Sequence, residues 1–193
     1  MKAVRRRRLF VGVLALWAEA LVALSAGADE EVAVPLPLQM ELLLKVAGYD
    51  KNLAARAPKL LVLYKPSSSS GSHVAQLASS LLAGKSLEGR ALEVSSEHFV
   101  DAATLAQHIK SQRLAIIYLA PGFEPRELLA IAQALTGLSV LTAGALSRFV
   151  QTGVALGFDL VGGKPKLLIH QKRAKEQGVE FSSQVLKLAK VIE

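Results

Sequence analysis

The chain has 193 residues, with 23 Lys+Arg against 16 Asp+Glu and no cysteine. Five of those bases and one of the acids fall in residues 1–28, so the other 165 residues hold 18 bases against 15 acids, a balance of +3. Such a balance argues against a nucleic-acid surface; the length suits one domain with a sizeable core, held by packing without disulfides.

Arg5 to Arg8 form a basic run, Leu9 to Leu24 an apolar one, and Ala26-Gly27-Ala28 a small-residue cleavage site before Asp29-Glu30-Glu31. This is the pattern of a secretory signal peptide cleaved after Ala28. The rival reading, an uncleaved anchor, is disfavoured because the apolar run is interrupted by Glu19 and falls short of the roughly 20 residues that span a bilayer. No cysteine follows to accept a lipid. Arg7-Arg8-Leu9-Phe10-Val11 is similar to a twin-arginine signal, and the general export route fits equally. The expected organisation is a signal peptide over 1–28, a leader over 29–37 and a single domain over 38–193, exported and not inserted in the membrane after cleavage.

Leu38 to Ala47 predicts a helix, with Leu38, Leu42, Leu43 and Val46 beneath and Glu41 paired with Lys45 at i, i+4; Gly48 stops it. A short helical piece ends at Ala57. Leu60 to Tyr64 is an apolar strand ended by Pro66 and the serine tract Ser67 to Ser70, Gly71, Ser72. Val74, Leu77, Ala78, Leu81 and Leu82 then make an amphipathic helix that Gly84 ends. A strand over Ala91 to Val94 leads through Ser95 to Val100 into a helix capped by Asp101, with Ala102, Leu105 and Ile109 inward. Leu114 to Leu119 is the next strand, stopped at Pro121-Gly122. Pro125 opens a helix whose inner stripe is Leu128, Leu129, Ala132 and Leu135. Leu138 to Leu141 reads as the fourth strand and Ala145 to Gln151 as the helix after it. Val154, Leu156, Phe158 and Leu160 alternate as a strand that turns at Gly162-Gly163 into Leu167 to Ile169, a β-hairpin. Ser182 or Ser183 caps a last helix, with Val185, Leu188, Ala189 and Ile192 on one stripe reaching the C-terminus. Apolar strands separated by amphipathic helices argue for an α/β fold: a mostly parallel sheet of about six strands with right-handed crossovers and helices on both faces, closed by a C-terminal antiparallel hairpin and helix.

Ligands of parallel sheets gather outside the carboxyl ends of the strands. The loops there are Pro66 to Ser72, Ser95 to Asp101, Ala120 to Glu124 and Thr142 to Ser147. Ser70, Gly71, Ser72 and Thr142 are therefore the candidate ligand-binding residues, the first three because free N–H groups at a helix start favour an anion. A flexible turn explains the tract equally. Gly84-Lys85-Ser86 imitates the end of a phosphate-binding loop, but Ser79 stands where the motif needs glycine and the tripeptide follows a helix. His73, His98, His108 and His170 lack ligand spacing, so no metal is expected. No Gly-x-Ser-x-Gly elbow is present; no catalytic residue and no cofactor are assigned. Lys164, Lys166, Lys172 and Arg173, with Lys175, form a basic cluster. It is either a solvated loop or a surface for an acidic protein or anionic headgroups.

The C-terminal fifty residues also carry a resemblance. Leu141-Thr142 at a strand end, Phe149 in the following helix, Gly153 and Phe158 in the next strand, and the Gly163-Lys164 turn stand in order. They are followed by Ile169, Ala174, Gly178, Ser182-Ser183, Leu186, Leu188 and Ala189. Together they resemble the YfiR-like family of periplasmic regulators. The resemblance covers residues 86–193 and thins over 38–85, where Gly48-Tyr49-Asp50-Lys51-Asn52 replaces the aromatic helix and Trp-Pro pair usual in that family. His170 stands where the family often has Asn. The resemblance implies a regulatory binding protein, not an enzyme. It would bind the periplasmic domain of an inner-membrane signalling protein, typically a diguanylate cyclase, and repress it. A periplasmic small-ligand module using the strand-end loops is the alternative, an exported hydrolase assembled from distant residues is a third, and a homodimer is compatible with either of the first two.

Overall fold

The computed structural model describes residues 33–54 and 56–193; the expected signal peptide and the first four residues of the leader, 29–32, lie outside them. Helix α1 (Leu36–Gly48) is followed by the short α2 (Lys51–Ala54) and strand β1 (Lys59–Tyr64). Next come α3 (Ser69–Leu82), a two-residue hairpin β2 (Ser86–Leu87) and β3 (Arg90–Ala91), and β4 (Glu93–His98). Then α4 (Ala102–Gln112), β5 (Ile116–Leu119), α5 (Pro125–Ala134), β6 (Leu141–Gly144) and α6 (Arg148–Thr152) alternate. The chain closes with β7 (Leu156–Val161), β8 (Lys164–His170), α7 (Gln171–Glu176), α8 (Ser183–Leu188) and β9 (Ala189–Ile192).

Seven strands form one sheet in the order β4-β1-β5-β6-β7-β8-β9. The pairs from β4 through β7 are parallel, β7–β8 is antiparallel, and β8–β9 is parallel again. This is the expected α/β fold with one strand more than the sequence suggested. The order reverses at β1, so right-handed crossovers put α3 on one face and α4, α5 and α6 on the other. Accordingly α1 packs on α3, while α4 packs on α5 and α5 on α6.

Burial follows strand position. Every residue of β5 and β6 is buried, as a doubly covered parallel strand requires. The edge strand β4 (Glu-Val-Ser-Ser-Glu-His) has no fully buried residue. The stretch 95–98, expected as a loop, is strand: at the sheet edge its polar side chains can stay solvated while its backbone pairs with Leu61 to Tyr64.

Two predicted stripes are rotated. In α3 the residues against the sheet are Gly71, Ala75, Ala78 and Leu82, and Leu77 is exposed; in α5 Ile131 replaces Leu129. Small side chains on α3 let its backbone approach the sheet, which outweighs the larger apolar area of Val74, Leu77 and Leu81. In α1 the polar Gln39 is fully buried. The predicted fourth strand begins three residues later, at Leu141, because Ser139 adopts a left-handed φ of 50° and bends the chain first.

The expected C-terminal helix is present but short. Val185 is buried, yet Leu188 is 69% exposed, so the stripe does not continue. Ala189 to Ile192 instead pair with Leu167 to His170 as β9. Two β-branched residues in the last four, together with an unpaired β8 edge, favour ladder bonds over another helical turn. Residues 171–176, expected as a basic loop, form α7.

Candidate functional site

The switch point of the sheet lies where β1 is flanked by β4 on one side and β5 on the other, and in open α/β sheets the crevice outside such strand ends is the usual ligand position. Here the loops after β1 and β5 close on each other. A Cβ on Gly71 would collide with the Pro121 carbonyl oxygen, and one on Gly122 with the Ser68 side chain. Behind them Phe99, Phe123 and Phe149 stack edge to face, with ring centroids 5.4 and 6.4 Å apart, flooring the loops with apolar surface. Beside the crevice Lys65 Nζ lies 2.8 and 3.0 Å from the two carboxylate oxygens of Glu127, which also accepts from the Glu124 backbone N–H at 2.8 Å. Burial alone would raise the Glu127 pKa, but the backbone donor and the Lys65 ammonium outweigh it and hold the carboxyl below its usual range.

The serine tract caps its own helix. Ser68 Oγ accepts from Gly71 N at 3.0 Å, and Ser72 donates through both N–H and hydroxyl to the Ser68 carbonyl, each at 3.0 Å. Ser70 Oγ is 3.2 Å from Ser68 Oγ. Ser70, Gly71 and Ser72 are thus adjacent on the first turn of α3, whereas Thr142 lies inside β6 and is 1% exposed. Its hydroxyl donates to Gln177 Oε1 at 2.9 Å and accepts from Ala155 N at 3.0 Å, so it ties β6 to β7 and to the end of α7. The four residues do not converge on one surface.

The open space at this edge is one strand further out. A groove of about 320 Å³ is lined by Tyr64, Phe99, Val100 and Leu105 on its apolar side and by Glu97, His98, Asp101, Thr104 and His108 on its polar side. A second groove of about 270 Å³ continues along β4 past Lys59, Glu93, Ser95 and Gln112, sharing Glu97 and His108 with the first. His108 Nε2 is 3.1 Å from Glu97, and Lys59 is 3.0 Å from Glu93. Asp101 caps α4 through Ala103 and Thr104, and the Thr104 hydroxyl, its strongest partner, lowers its pKa. An apolar wall with carboxylates and imidazoles opposite suits a small ligand bearing a ring or aliphatic chain and a cationic head. Sequence reasoning named the loop Ser95 to Asp101 among the strand-end loops but ended the strand at Val94, so it did not foresee that Ser95 to His98 extend β4 and wall the groove.

The basic cluster is divided. Lys164 and Lys166 stand on β8 near the hairpin turn, while Lys172 and Arg173 stand on α7 beyond the other end of that strand, about 20 Å away at the rise of a strand. Arg173 is paired with Glu176 at 2.7 Å. Among the described residues no group of three or more His, Cys, Asp or Glu could hold a metal ion, and no helix is long and apolar enough to cross a membrane.

Residues 39–190 match the YfiR/HmsC-like family model. The chain belongs to that family. The match takes in residues 39–85, over which the resemblance was expected to thin, as well as the C-terminal signature. Among solved structures it is similar to an ABC domain from Streptococcus pneumoniae, solved in complex with L-Trp, with a TM-score of 0.58 and 15% identity over 82% of this chain and 62% of that one. It is also similar to a conserved domain protein from Vibrio cholerae O1 biovar El Tor, with a TM-score of 0.56 and 14% identity over 82% and 60% of the two chains. The chain thus spans about three-fifths of either structure, and at these identities the likeness is one of fold. No curated protein sequence matches it.

Proposed function

We propose that this member of the YfiR/HmsC-like family is a periplasmic regulatory binding protein. It would bind the periplasmic sensor domain of an inner-membrane signalling protein, a diguanylate cyclase, and keep it quiescent. The observation that carries the reading is the family match across residues 39–190. Repression follows if the chain binds the inactive form of its partner more tightly than the active form, so that its release raises cyclic di-GMP inside the cell. No catalytic step is assigned to it. In this reading residues 1–28 are an export signal cleaved after Ala28, which amino-terminal sequencing of the protein recovered from cells would check. The test is deletion of this chain in cells with and without the candidate cyclase. Cyclic di-GMP should rise only where the cyclase is present, and the cyclase should be retained on the immobilised chain in mild detergent. A rise independent of the cyclase, or no retention, would overturn the reading.

A second reading is favoured by the groove of about 320 Å³ at the β1 and β4 ends and by the likeness to a domain solved with L-Trp: the chain binds a small ligand at its strand-end loops. A ligand bound only by the folded state raises the unfolding temperature. Aromatic amino acids and amines should do so, and Glu97→Gln with Asp101→Asn should abolish the shift. Anionic metabolites test Ser70, Gly71 and Ser72 in the same assay.

A further inference from the structure

Among the exposed large hydrophobic side chains of the described residues, Leu160 and Val161 are consecutive and stand at the end of a hairpin. Strand β7 pairs with β6 only through Leu156 opposite Ala143, so from Phe158 onward the hairpin runs past the end of β6. Four residues of strand carry it about 13 Å further. At the end of this arm Leu160 is 39% and Val161 57% exposed, and the turn is the tight Gly162-Gly163 pair with φ of 58° and 73°. Across the hairpin Leu160 faces the exposed Pro165, and Val161 faces Lys164; one step lower Asp159 faces Lys166.

We propose that the β7–β8 arm is a peripheral docking point on an anionic phospholipid surface, with Leu160 and Val161 entering the headgroup layer and Lys164 and Lys166 resting on its phosphates. Three observations favour a lipid surface over an acidic protein. The tip is a ridge ending in a two-residue turn, which suits a fluid interface better than a preformed cleft. Its composition is Leu, Val, Pro and Lys, whereas protein hot spots favour Trp, Tyr and Arg. Its cations are lysines, compact point charges without a fork for bidentate carboxylates. Neither lysine is in an ion pair among the described residues, in contrast to Lys45, Lys59, Lys65 and Arg173. Long lysine stems can lie along the apolar tip and keep their ammonium groups at the phosphates. Attraction of this kind is reversible and salt-dependent, and it does not span the bilayer.

This contact is independent of the regulatory reading: either can fail alone. The test is sedimentation of the full chain with vesicles of phosphatidylcholine, or of phosphatidylcholine with about a third phosphatidylglycerol, at low and high salt. The amino-terminal segment is common to all variants, so the readout is the difference between them. On phosphatidylglycerol vesicles, Leu160→Ser with Val161→Ser and, separately, Lys164→Gln with Lys166→Gln should each weaken binding about tenfold. Lys172→Gln with Lys175→Gln, at the other end of β8, should leave it unchanged, and high salt should remove the lysine-dependent part. Because all these positions are on the surface, unchanged thermal unfolding shows that each variant is folded. Equal sedimentation of wild type and arm variants, an equal loss in the α7 variant, or arm-dependent capture of an acidic protein without vesicle binding would overturn the proposal.

Discussion

Among the described residues Tyr118 is the largest fully buried side chain, and its hydroxyl donates to Gln39 Oε1 at 2.8 Å. Gln39 Nε2 in turn donates to the carbonyls of Val34 and Ala145, at 3.0 and 3.1 Å. One amide therefore joins the start of the described chain, α1, β5 and the turn after β6, and burial holds the phenol neutral by raising its pKa. Tyr118→Phe should cost about 1–3 kcal/mol in urea unfolding, because Gln39 Oε1 is left buried without a donor. Tyr118→Phe with Gln39→Leu should cost less than the two single changes added together, the sign of a coupled pair. His170 offers a pH handle. Burial, then Arg173, lowers its pKa, with Lys172 adding and Glu176 opposing, and its buried Nδ1 has no partner. A histidine whose folded pKa is depressed stabilises fully above its unfolded value of about 6.5, and that stability is lost as pH falls through the folded value. His170→Asn should therefore match wild type near neutral pH and gain on it as pH falls toward 5, in unfolding curves taken at each pH.

Packing at the level of elements decides two further outcomes. Glycine to alanine inside a helix ordinarily stabilises by up to about 1 kcal/mol, but Gly71 has the Pro121 backbone oxygen where a Cβ would go. Gly71→Ala should therefore destabilise by about 1–3 kcal/mol in denaturant unfolding, since the obstacle cannot swing aside. Ending the chain at Leu188 would uncover the edge of β8, where Leu168 and Ile169 are buried. The truncated chain should lose about 2–3 kcal/mol and aggregate more readily, read by thermal unfolding and light scattering. Local signals made much of this architecture legible in the sequence. Asp101 caps α4, Pro125 opens α5, Gly162-Gly163 turns the hairpin, and the apolar runs of β1 and β5 stand where expected. What was not legible depends on contacts between distant elements. Val185, Leu188 and Ile192 have helical spacing, but the free β8 edge makes the last of them a strand residue. The same holds for the candidate sites. Thr142 looked like a loop residue until β7 and α7 closed over it, and Lys164 and Lys172 looked like neighbours until β8 held them apart.

At the scale of the molecule the sheet is graded in protection from its centre to both ends. Strands β5 and β6 are buried throughout, β4 and β9 are edges with no fully buried residue, and the arm extends beyond its neighbours. The carboxyl edge repeats the gradient among the described residues: the crevice between β1 and β5 is closed by Gly71, Pro121 and Gly122, and an open groove lies beside β4. Binding at the β4 groove or at the arm need not disturb the centre. Local opening should follow the same order, because amides exchange through the smallest unfolding that exposes them. Hydrogen exchange should be fastest in residues 159–164 and at β9, slower in β4, and slowest in β1, β5 and β6, where it should track global stability measured in denaturant. A ligand in the β4 groove should slow exchange in residues 94–108 and leave the arm unchanged, whereas anionic vesicles should do the reverse. Protection of both regions by either agent alone would mean that arm and groove open as one unit, and the division between a rigid centre and two independent binding ends would then be wrong.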